Sequence, residues 1–278
     1  MRRGLQTRFV GRRIEAVEVG RERTVRRTSR DALVAGLTGA TALAAERRGK
    51  YLILPLDTGD SLMVHLRMSG RVLIEPAVKP RVEHTHVVLH LAGRSDGEGD
   101  GAAEELRFVD PRTFGEVVVF DPENAAVEMP ELTRLGVDPI ADGLERNQLA
   151  RIVRGRARQM KALLLDQHVI AGIGNIYADE ILHASRIRHD RLSNSLKPAE
   201  ITRLHGAIGE ILSAAIEAGG STLKDTQYVD IGGEGGWFQV SHRVYDRGGQ
   251  ICLTCGRDTI RQVTSGGRTT SFCPRCQK

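Results

Sequence analysis

Hydrophobic positions follow two different rhythms along the chain. From about residue 12 to residue 120, short apolar and β-branched runs alternate with polar positions and are separated by turn sequences such as Asp57-Thr58-Gly59-Asp60. A period of two is typical of strands with one buried face, and many short strands at this spacing indicate a β-sandwich or barrel. The predicted strands cover residues 14–19, 41–45, 51–56, 61–66, 71–74, 85–91, 106–109 and 116–120. A brief helix is predicted at 31–37 and a flexible Gly- and Asp-rich hairpin loop at 93–103.

Beyond Pro122 the spacing of apolar residues changes to the three and four residues of amphipathic helices. The residues that carry this spacing are Leu149, Ile152, Val153, Met160, Leu163 and Leu164. The longest helix is predicted to begin at Pro198, a favoured first-turn residue, and to stop at Gly219-Gly220. A Gly-rich loop at 221–240 and short strands in the last 35 residues follow. We therefore predict three domains, at 1–121, 122–240 and 241–278.

The basic residues are unevenly distributed, which says more than the net charge of +5. Residues 1–30 carry ten Arg against three Glu, and residues 146–161 carry six basic residues and no acid. Two such stripes suit a polyanion such as nucleic acid, although a solvated arginine-rich surface would give the same pattern. No run approaches the roughly 18 to 20 apolar residues that cross a bilayer, and the Arg-rich start is unlike a signal peptide. We expect a cytoplasmic, nucleoid-associated monomer.

All four cysteines lie near the end of the chain, in the pattern Cys252-x2-Cys255-x17-Cys273-x2-Cys276. Two CxxC turns joined by a hairpin can present four thiolates to one tetrahedral ion, and one structural Zn²⁺ is the expected ligand. A redox CxxC pair or unliganded thiols are the alternatives. Ribbons of this kind occur in many nucleic-acid-binding proteins, so the cysteines do not name a reaction.

Several stretches, taken together and in order, resemble the formamidopyrimidine-DNA glycosylase and endonuclease VIII family. They are Arg2–Leu5, Arg47–Leu52, His65–Gly70, Asp110–Gly115, Gly172–Glu180 and Cys273–Gln277. The Arg112-x-Phe114 pattern favours the formamidopyrimidine branch. The resemblance implies a mixed α and β, multidomain fold: an N-terminal β-sandwich, a helix-two-turn-helix domain and a C-terminal zinc ribbon, with damaged double-stranded DNA held between domains.

The resemblance also implies roles for individual residues. Met68, Arg112 and Phe114 would fill the gap that a damaged nucleotide leaves when it swings out of the duplex; without the family, Met68 and Phe114 would be assigned to the core. His84, Arg156, Lys161 and Asn175 would contact the DNA backbone, where each would otherwise be an ordinary surface residue. Lys50 and Arg268 would act near the lesion during catalysis, Arg268 also by gripping a phosphate. Arg67 replaces the usual Gly before Met68 and could disturb how Met68 reaches the duplex.

The family's nucleophile is an N-terminal proline followed by an acidic glutamate, in an opening Pro-Glu-Leu-Pro-Glu-Val. The present sequence opens Met1-Arg2-Arg3-Gly4-Leu5, a stretch that matches a later part of the family's first helix. We favour the hypothesis that the start codon is assigned too late over the hypothesis of a truncated, catalytically silent protein.

The expected function is that of a bifunctional glycosylase and AP lyase of base-excision repair, which removes oxidised purines of the formamidopyrimidine and 8-oxoguanine type and nicks the strand by elimination. A non-catalytic protein that binds damaged DNA is the main alternative. An RNA-binding or ribosome-associated module is a third, but it would have no use for Met68, Arg112 and Phe114.

Overall fold

The computed structural model describes residues 1–93, 103–222 and 228–278. The loop predicted at 93–103 lies almost wholly outside these residues, as does part of the loop predicted at 221–240. The described residues form two compact units, Met1–Thr133 with Gly219–Gly236, and Arg134–Ala218 with Trp237–Lys278. No helix within the described ranges has both the length and the apolar character that a membrane span requires.

Unit 1 is built on two four-stranded antiparallel sheets. The first has the order β1, β6, β7, β5 and the second the order β2, β3, β4, β8. The strands are β1 (Ile14–Val19), β2 (Glu46–Arg48), β3 (Tyr51–Pro55), β4 (Ser61–His65), β5 (Arg71–Pro76), β6 (Thr85–Leu91), β7 (Glu104–Val109) and β8 (Glu116–Phe120). Apolar side chains from both sheets share one core, which confirms the predicted sandwich.

Helices complete the core of unit 1. Helix α1 (Arg2–Arg8) buries Leu5, and α2 (Arg30–Leu37) buries Leu33 and Leu37. The side chain of Ser29 caps α2 by accepting a hydrogen bond from the N–H of Ala32 at 3.0 Å. Two short helices, α3 (Ala125–Glu128) and α4 (Pro130–Thr133), follow the last strand.

The prediction of a strand at residues 41–45 of unit 1 was wrong. Residues 41–45 form only isolated bridges, Arg13 with Thr41 and Ala42 with Leu56. Its main-chain hydrogen bonds go to different segments, since the N–H of Leu43 donates to the carbonyl oxygen of Pro55 while the carbonyl oxygen of Ala42 accepts from the N–H of Gly11, both at 2.8 Å, so no continuous ladder forms with one neighbour. Strand β2 was not predicted, since its sequence Glu-Arg-Arg lacks an apolar alternation.

Segment Gly219–Gly236 groups with unit 1 by its contacts. Ile231 is buried in the core of the sandwich, and its carbonyl oxygen accepts a hydrogen bond from the N–H of Ile74 at 2.8 Å. The three domain boundaries expected from the sequence stay a prediction.

Unit 2 combines four helices with a two-stranded ribbon. The helices are α5 (Arg146–Arg154), α6 (Met160–Leu165), α7 (Asn175–Ala184) and α8 (Pro198–Glu217), and the strands are β9 (Arg261–Ser265) and β10 (Arg268–Phe272). The apolar faces of these helices form a second core. Helix α8 ends where predicted, because Gly219 and Gly220 adopt φ of +72° and +94°, a region that glycine enters at little cost.

Candidate functional site

Met68 lies in the turn of residues 66–70 between β4 and β5, which we call the Met68 turn. Gly70 closes this turn by donating its N–H to the carbonyl oxygen of Leu66 at 2.9 Å. A Cβ at position 70 would lie 2.5 Å from the same oxygen, so the close approach requires glycine. The side chain of Met68 is 51% exposed. The structure thus places it outside the core.

Arg112 and Phe114 lie in the loop Asp110–Gly115 between β7 and β8, which we call the Asp110 loop. The buried carboxylate of Asp110 accepts hydrogen bonds from the N–H of Arg112 at 3.2 Å and the N–H of Gly115 at 2.7 Å. Phe114 is 40% exposed, and the guanidinium carbon of Arg112 lies 5.2 Å from the centre of its ring. The loop therefore presents a cation and an aromatic ring side by side at the surface.

The Met68 turn and the Asp110 loop are joined by two hydrogen bonds of the Ser69 hydroxyl. The hydroxyl of Ser69 donates to the carboxylate of Asp110 and accepts from the N–H of Arg112 at 3.3 Å. Because a buried carboxylate needs several donors, this arrangement fixes both segments relative to each other. Neither Ser69 nor Asp110 was predicted as a functional residue, although they lie in the motifs His65–Gly70 and Asp110–Gly115.

Asp110 also anchors the segment that carries His84, through its main-chain N–H and carbonyl groups. The N–H of Asp110 donates to the carbonyl oxygen of His84 at 3.0 Å, and the ring of His86 contacts the carbonyl oxygen of Asp110 at 2.9 Å. His84 itself has φ of +65° and a side chain that is 39% exposed. Four of the predicted residues of unit 1 thus lie around Asp110: Met68, His84, Arg112 and Phe114.

Lys50, the fifth predicted residue of unit 1, is exposed in the turn between β2 and β3, after Gly49 with φ of +57°. Its charge acts on His65, at the end of β4. Burial, together with the charges of Arg67 and Lys50, lowers the pKa of His65 to about 4 despite the opposing charge of Glu116. His65 is therefore neutral at pH 7, and its Nδ1 accepts a hydrogen bond from the N–H of Arg67 at 2.9 Å.

Unit 2 carries the other predicted residues. Arg156 is exposed after α5, and Arg268 is exposed as the first residue of β10, next to the turn Gly266-Gly267 of the ribbon hairpin. Asn175 begins α7 and donates from its side-chain amide to the carbonyl oxygen of Thr269 at 3.0 Å. A cavity of about 230 Å³ has Arg158, Lys161 and Arg268 in its lining. Asp166 also lines the cavity and pairs with Arg158, and Lys161 pairs with Asp179, so the lining carries charges of both signs.

Lys161 does not lie at the surface as an ordinary phosphate contact would. Its ammonium forms an ion pair with Asp179 at 2.6 Å and donates to the carbonyl oxygen of Thr269 at 3.0 Å and the hydroxyl of Thr270 at 2.8 Å. Burial lowers the pKa of Lys161, against the attraction of Asp179. Lys161 thus ties α6 to the ribbon hairpin.

Helix α7 holds the ribbon through a row of polar side chains. Asp179 accepts from the N–H of Ser271 at 2.9 Å. Glu180, which is buried, accepts from the N–H groups of Arg243, Val244 and Tyr245 at 2.9, 3.0 and 2.8 Å. Asn175 and Asp179, four residues apart, share one helix face and both contact β10. Neither carboxylate was predicted as functional, because an acid in a helix is more often solvated.

The four cysteines lie together at the far end of the ribbon, in a cluster with the small apolar core of Val244 and Ile260. All four sulfur atoms lie within 4.8 Å of one another, and the pairs Cys252–Cys276 and Cys255–Cys273 are each 3.8 Å apart. These distances exceed the roughly 2.05 Å of a disulfide. They equal the spacing of about 3.8 Å that four sulfurs have around a tetrahedral ion at about 2.3 Å. The cluster can therefore hold a metal ion.

His183 links the cysteine cluster to α7. Its Nε2 lies 3.7 Å from the sulfur of Cys252, and both side chains are buried. Burial also lowers the pKa of His183. Groups that hydrogen-bond to a metal ligand orient that ligand, and the ring of His183 is placed to do so for Cys252.

Two family matches cover most of the chain. The formamidopyrimidine-DNA glycosylase N-terminal domain matches residues 1–117, and the formamidopyrimidine-DNA glycosylase H2TH domain matches residues 135–227. A formamidopyrimidine-DNA glycosylase of Pelotomaculum thermopropionicum is 38% identical over 278 residues, covering 100% of this chain and 96% of the relative. Another from Nocardioides sp. is 40% identical over 279 residues, covering 100% and 91%.

Solved structures give the same result. The Lactococcus lactis Fpg bound to abasic-site DNA has a TM-score of 0.87 and 32% identity, covering 100% of this chain and 96% of that chain. The Lactococcus lactis Fpg bound to DNA containing Fapy-dG also has a TM-score of 0.87 and 32% identity, covering 100% and 97%.

Proposed function

The chain belongs to the formamidopyrimidine-DNA glycosylase family, and from that premise we propose that it excises oxidised purines from duplex DNA and nicks the strand by elimination. Its function is base-excision repair, and damaged double-stranded DNA is its substrate. We place this activity in the cytoplasm, on nucleoid DNA.

The observation that carries the proposal is the junction of the Met68 turn with the Asp110 loop. Swinging a nucleotide out of the duplex costs a few kcal/mol of stacking and pairing. Side chains that occupy the gap offset this cost only if their support is rigid. Met68, Arg112 and Phe114, which we call the void-filling residues, stand exposed on two segments that Ser69 and Asp110 lock together. Arg112 has donors for the unpaired base, and Phe114 has a flat ring to stack.

Residues of both units are proposed to fix the register of the DNA through its phosphates. His84, Arg156 and Asn175 supply donors for backbone oxygens, and Arg268 supplies an exposed guanidinium on the ribbon hairpin. The backbone contact expected for Lys161 stays a prediction, and its ammonium is engaged inside unit 2. We assign it the positioning of the ribbon hairpin from which Arg268 projects.

The chemistry requires an amine that attacks C1′ of the sugar while the bond to the damaged base breaks. The sugar ring then opens at its C1′–O4′ bond, O4′ takes up a proton and a Schiff base forms at C1′. The Schiff base makes the C2′ proton acidic, and loss of that proton expels the 3′ phosphate. In the family that amine belongs to an N-terminal proline, which does not open the present sequence. Lys50 and Arg268 are proposed to act beside it, Lys50 by orienting the sugar or moving a proton and Arg268 by holding the phosphate during elimination.

Zinc is the metal we propose for the cysteine cluster. Four thiolates at these spacings form the closed S4 site of a structural zinc centre, with no position open for substrate. When bound, the ion would supply folding energy to a ribbon whose apolar core contains only a few residues.

Borohydride trapping on duplexes with one 8-oxoguanine or formamidopyrimidine tests the proposal. Two polypeptides are compared, residues 1–278 and the same residues preceded by the family opening that begins Pro-Glu-Leu-Pro-Glu-Val. We expect the extended polypeptide to release the base, nick the strand and form a trapped adduct that maps to its first proline. Replacement of that proline should abolish the adduct.

Two outcomes would contradict this assignment. Lesion-specific binding by both polypeptides without excision by either would indicate a catalytically silent damage-binding protein. Robust excision by residues 1–278 with an adduct that maps to Lys50 would place the nucleophile elsewhere in the chain.

A further inference from the structure

Arg67 immediately precedes Met68 and adopts an unusual backbone conformation. Its φ is +52°, in the left-handed region that glycine enters far more readily than other residues. Its N–H donates to Nδ1 of His65 at 2.9 Å, and its carbonyl oxygen accepts from the hydroxyl of Tyr228 at 3.2 Å. The main chain of the Met68 turn is thus held on both sides of Arg67.

The side chain of Arg67 is held as well. Its Nη2 donates to Oε1 of Glu116 at 2.9 Å. The Glu116 side chain is only 1% exposed and also pairs with Arg26 and Arg27. Burial alone would raise the pKa of Glu116, but the hydrogen bond from Arg67 and the three guanidinium charges lower it, so the carboxylate is ionised at neutral pH. Arg67 is therefore anchored to a fixed charge on β8.

We propose that Arg67 is a positioning residue for Met68: its ion pair with Glu116 holds the Met68 turn in one conformation, so that Met68 is already extended when DNA binds. The expected effect on lesion binding rests on the proposed function, but the order of the Met68 turn is measurable without DNA. Pre-organisation of this kind improves lesion binding because the turn loses less conformational entropy on binding.

A rival explanation gives Arg67 a direct phosphate contact. Its side chain is 38% exposed, so a guanidinium edge reaches solvent. Glu116 separates the two explanations, because its carboxylate is buried and cannot touch DNA. Replacement of either partner should have the same effect if Arg67 positions Met68, whereas only replacement of Arg67 should remove a phosphate contact.

The test begins with the free protein labelled with ¹⁵N-methionine, in which Met68 is the exposed methionine and Met63, Met129 and Met160 are buried references. In Arg67→Ala and Glu116→Gln we expect the amide order parameter of Met68 to fall from about 0.85 toward 0.6 or below, the values of rigid and flexible backbone. Arg67→Lys should restore most of the order. Arg81→Ala is a matched control, since Arg81 is a similarly exposed, ion-paired arginine of unit 1. The three buried methionines report whether each variant is folded.

DNA binding supplies the second readout, with a duplex that carries one tetrahydrofuran abasic analogue and an undamaged duplex. We expect Arg67→Ala and Glu116→Gln to weaken binding to the abasic duplex about two- to fivefold, the effect of one ion pair of modest strength. Binding to undamaged DNA and its salt dependence should stay as in the wild type. Equal losses on both duplexes with a salt slope lower by about one in Arg67→Ala alone would overturn the inference in favour of a phosphate contact.

An unchanged Met68 order parameter in both variants would also overturn it. Failure of the proposed function looks different: the wild-type chain would then show no preference for the abasic duplex, while the order parameters would still decide whether Arg67 holds the turn.

Discussion

The ammonium nitrogen of Lys161 lies 2.6 Å from Oδ1 of Asp179, although the two side chains are only 3% and 1% exposed. Burial disfavours both charges, so it lowers the pKa of Lys161 and raises the pKa of Asp179 to about 6, while their mutual attraction opposes both shifts. The pair connects α6 and α7 with the ribbon hairpin, and Arg268 lies on that hairpin. The Lys161–Asp179 pair should therefore contribute to DNA binding indirectly, by fixing the position of Arg268.

We expect Lys161→Met to destabilise unit 2 by about 3 to 5 kcal/mol at pH 8, because it leaves the Asp179 carboxylate buried and unpaired. The double variant Lys161→Met with Asp179→Asn should be much less destabilised, since no charge is left. As the pH falls, the carboxyl of Asp179 is protonated in the folded state before it is protonated in the unfolded chain, because its folded pKa is raised. Lowering the pH to 5 should therefore reduce the loss of unfolding free energy that Lys161→Met causes. Urea unfolding followed by the single Trp, Trp237 of unit 2, measures these effects. A fully stable Lys161→Met whose DNA binding loses about one unit of salt slope would instead make Lys161 a phosphate contact.

The metal should be required for the ribbon but not for the sandwich. A chelator, or Cys273→Ser, should unfold the ribbon and weaken DNA binding sharply, because the ribbon core is too small to fold alone. Hydrogen exchange should show lost protection in β9 and β10 with unchanged protection in β4 and β8. Thr264→Ser, an exposed substitution in β9, serves as the control. Full DNA affinity after verified loss of the metal would contradict this prediction.

Arg268 and Phe114 should affect DNA binding in different ways. Arg268→Ala should weaken binding to damaged and undamaged duplexes alike and lower the salt slope by about one, because its proposed partner is a phosphate. Phe114→Ala should weaken lesion binding more than non-specific binding, because only the opened duplex has a gap to fill. Titrations at several salt concentrations measure both effects, with Arg261→Ala as an exposed control on the same ribbon. Equal losses for the Arg268 and Phe114 variants on both duplexes would remove the void-filling role of Phe114.

His65 should make unit 1 sensitive to acid. Its folded pKa of about 4 lies below the ordinary value of 6.5, so the unfolded chain takes up the proton first. The neutral ring makes its full contribution to the free energy of unfolding above pH 6.5, and this contribution is lost as the pH falls toward 4. A pKa shift of this size corresponds to at most about 3 kcal/mol. An NMR titration of the ring should give the pKa directly. His65→Asn keeps an acceptor close to the position of Nδ1 for the N–H of Arg67 and should lack this part of the pH dependence. An identical pH profile in both proteins would refute the assignment.

Local patterns in the sequence were sufficient for much of the fold and for part of the site. The alternation of β1 and the short β-branched runs of β6 and β8 predicted those strands to the residue, since both patterns are local features of the sequence. Pro198 and the pair Gly219-Gly220 bounded the longest helix through their own backbone preferences. The cysteine spacing predicted a cluster that can hold a metal, because the two cysteines of a CxxC turn, with two residues between them, lie close whatever surrounds them. Motifs also selected Met68, Arg112 and Phe114, which the structure brings to the surface rather than the core.

What the tertiary structure alone decided depends on partners far apart in the chain. Lys161 is basic like its neighbours, and only Thr269, Thr270 and Asp179, folded around it, turn it from a surface cation into a buried one. Asp110 gains its joining role from Ser69, 41 residues earlier. The carboxylate of Glu116 holds Arg67 from a strand 49 residues away. A sequence pattern records the character of each residue, whereas burial and pairing energies arise only when distant segments exclude water between them.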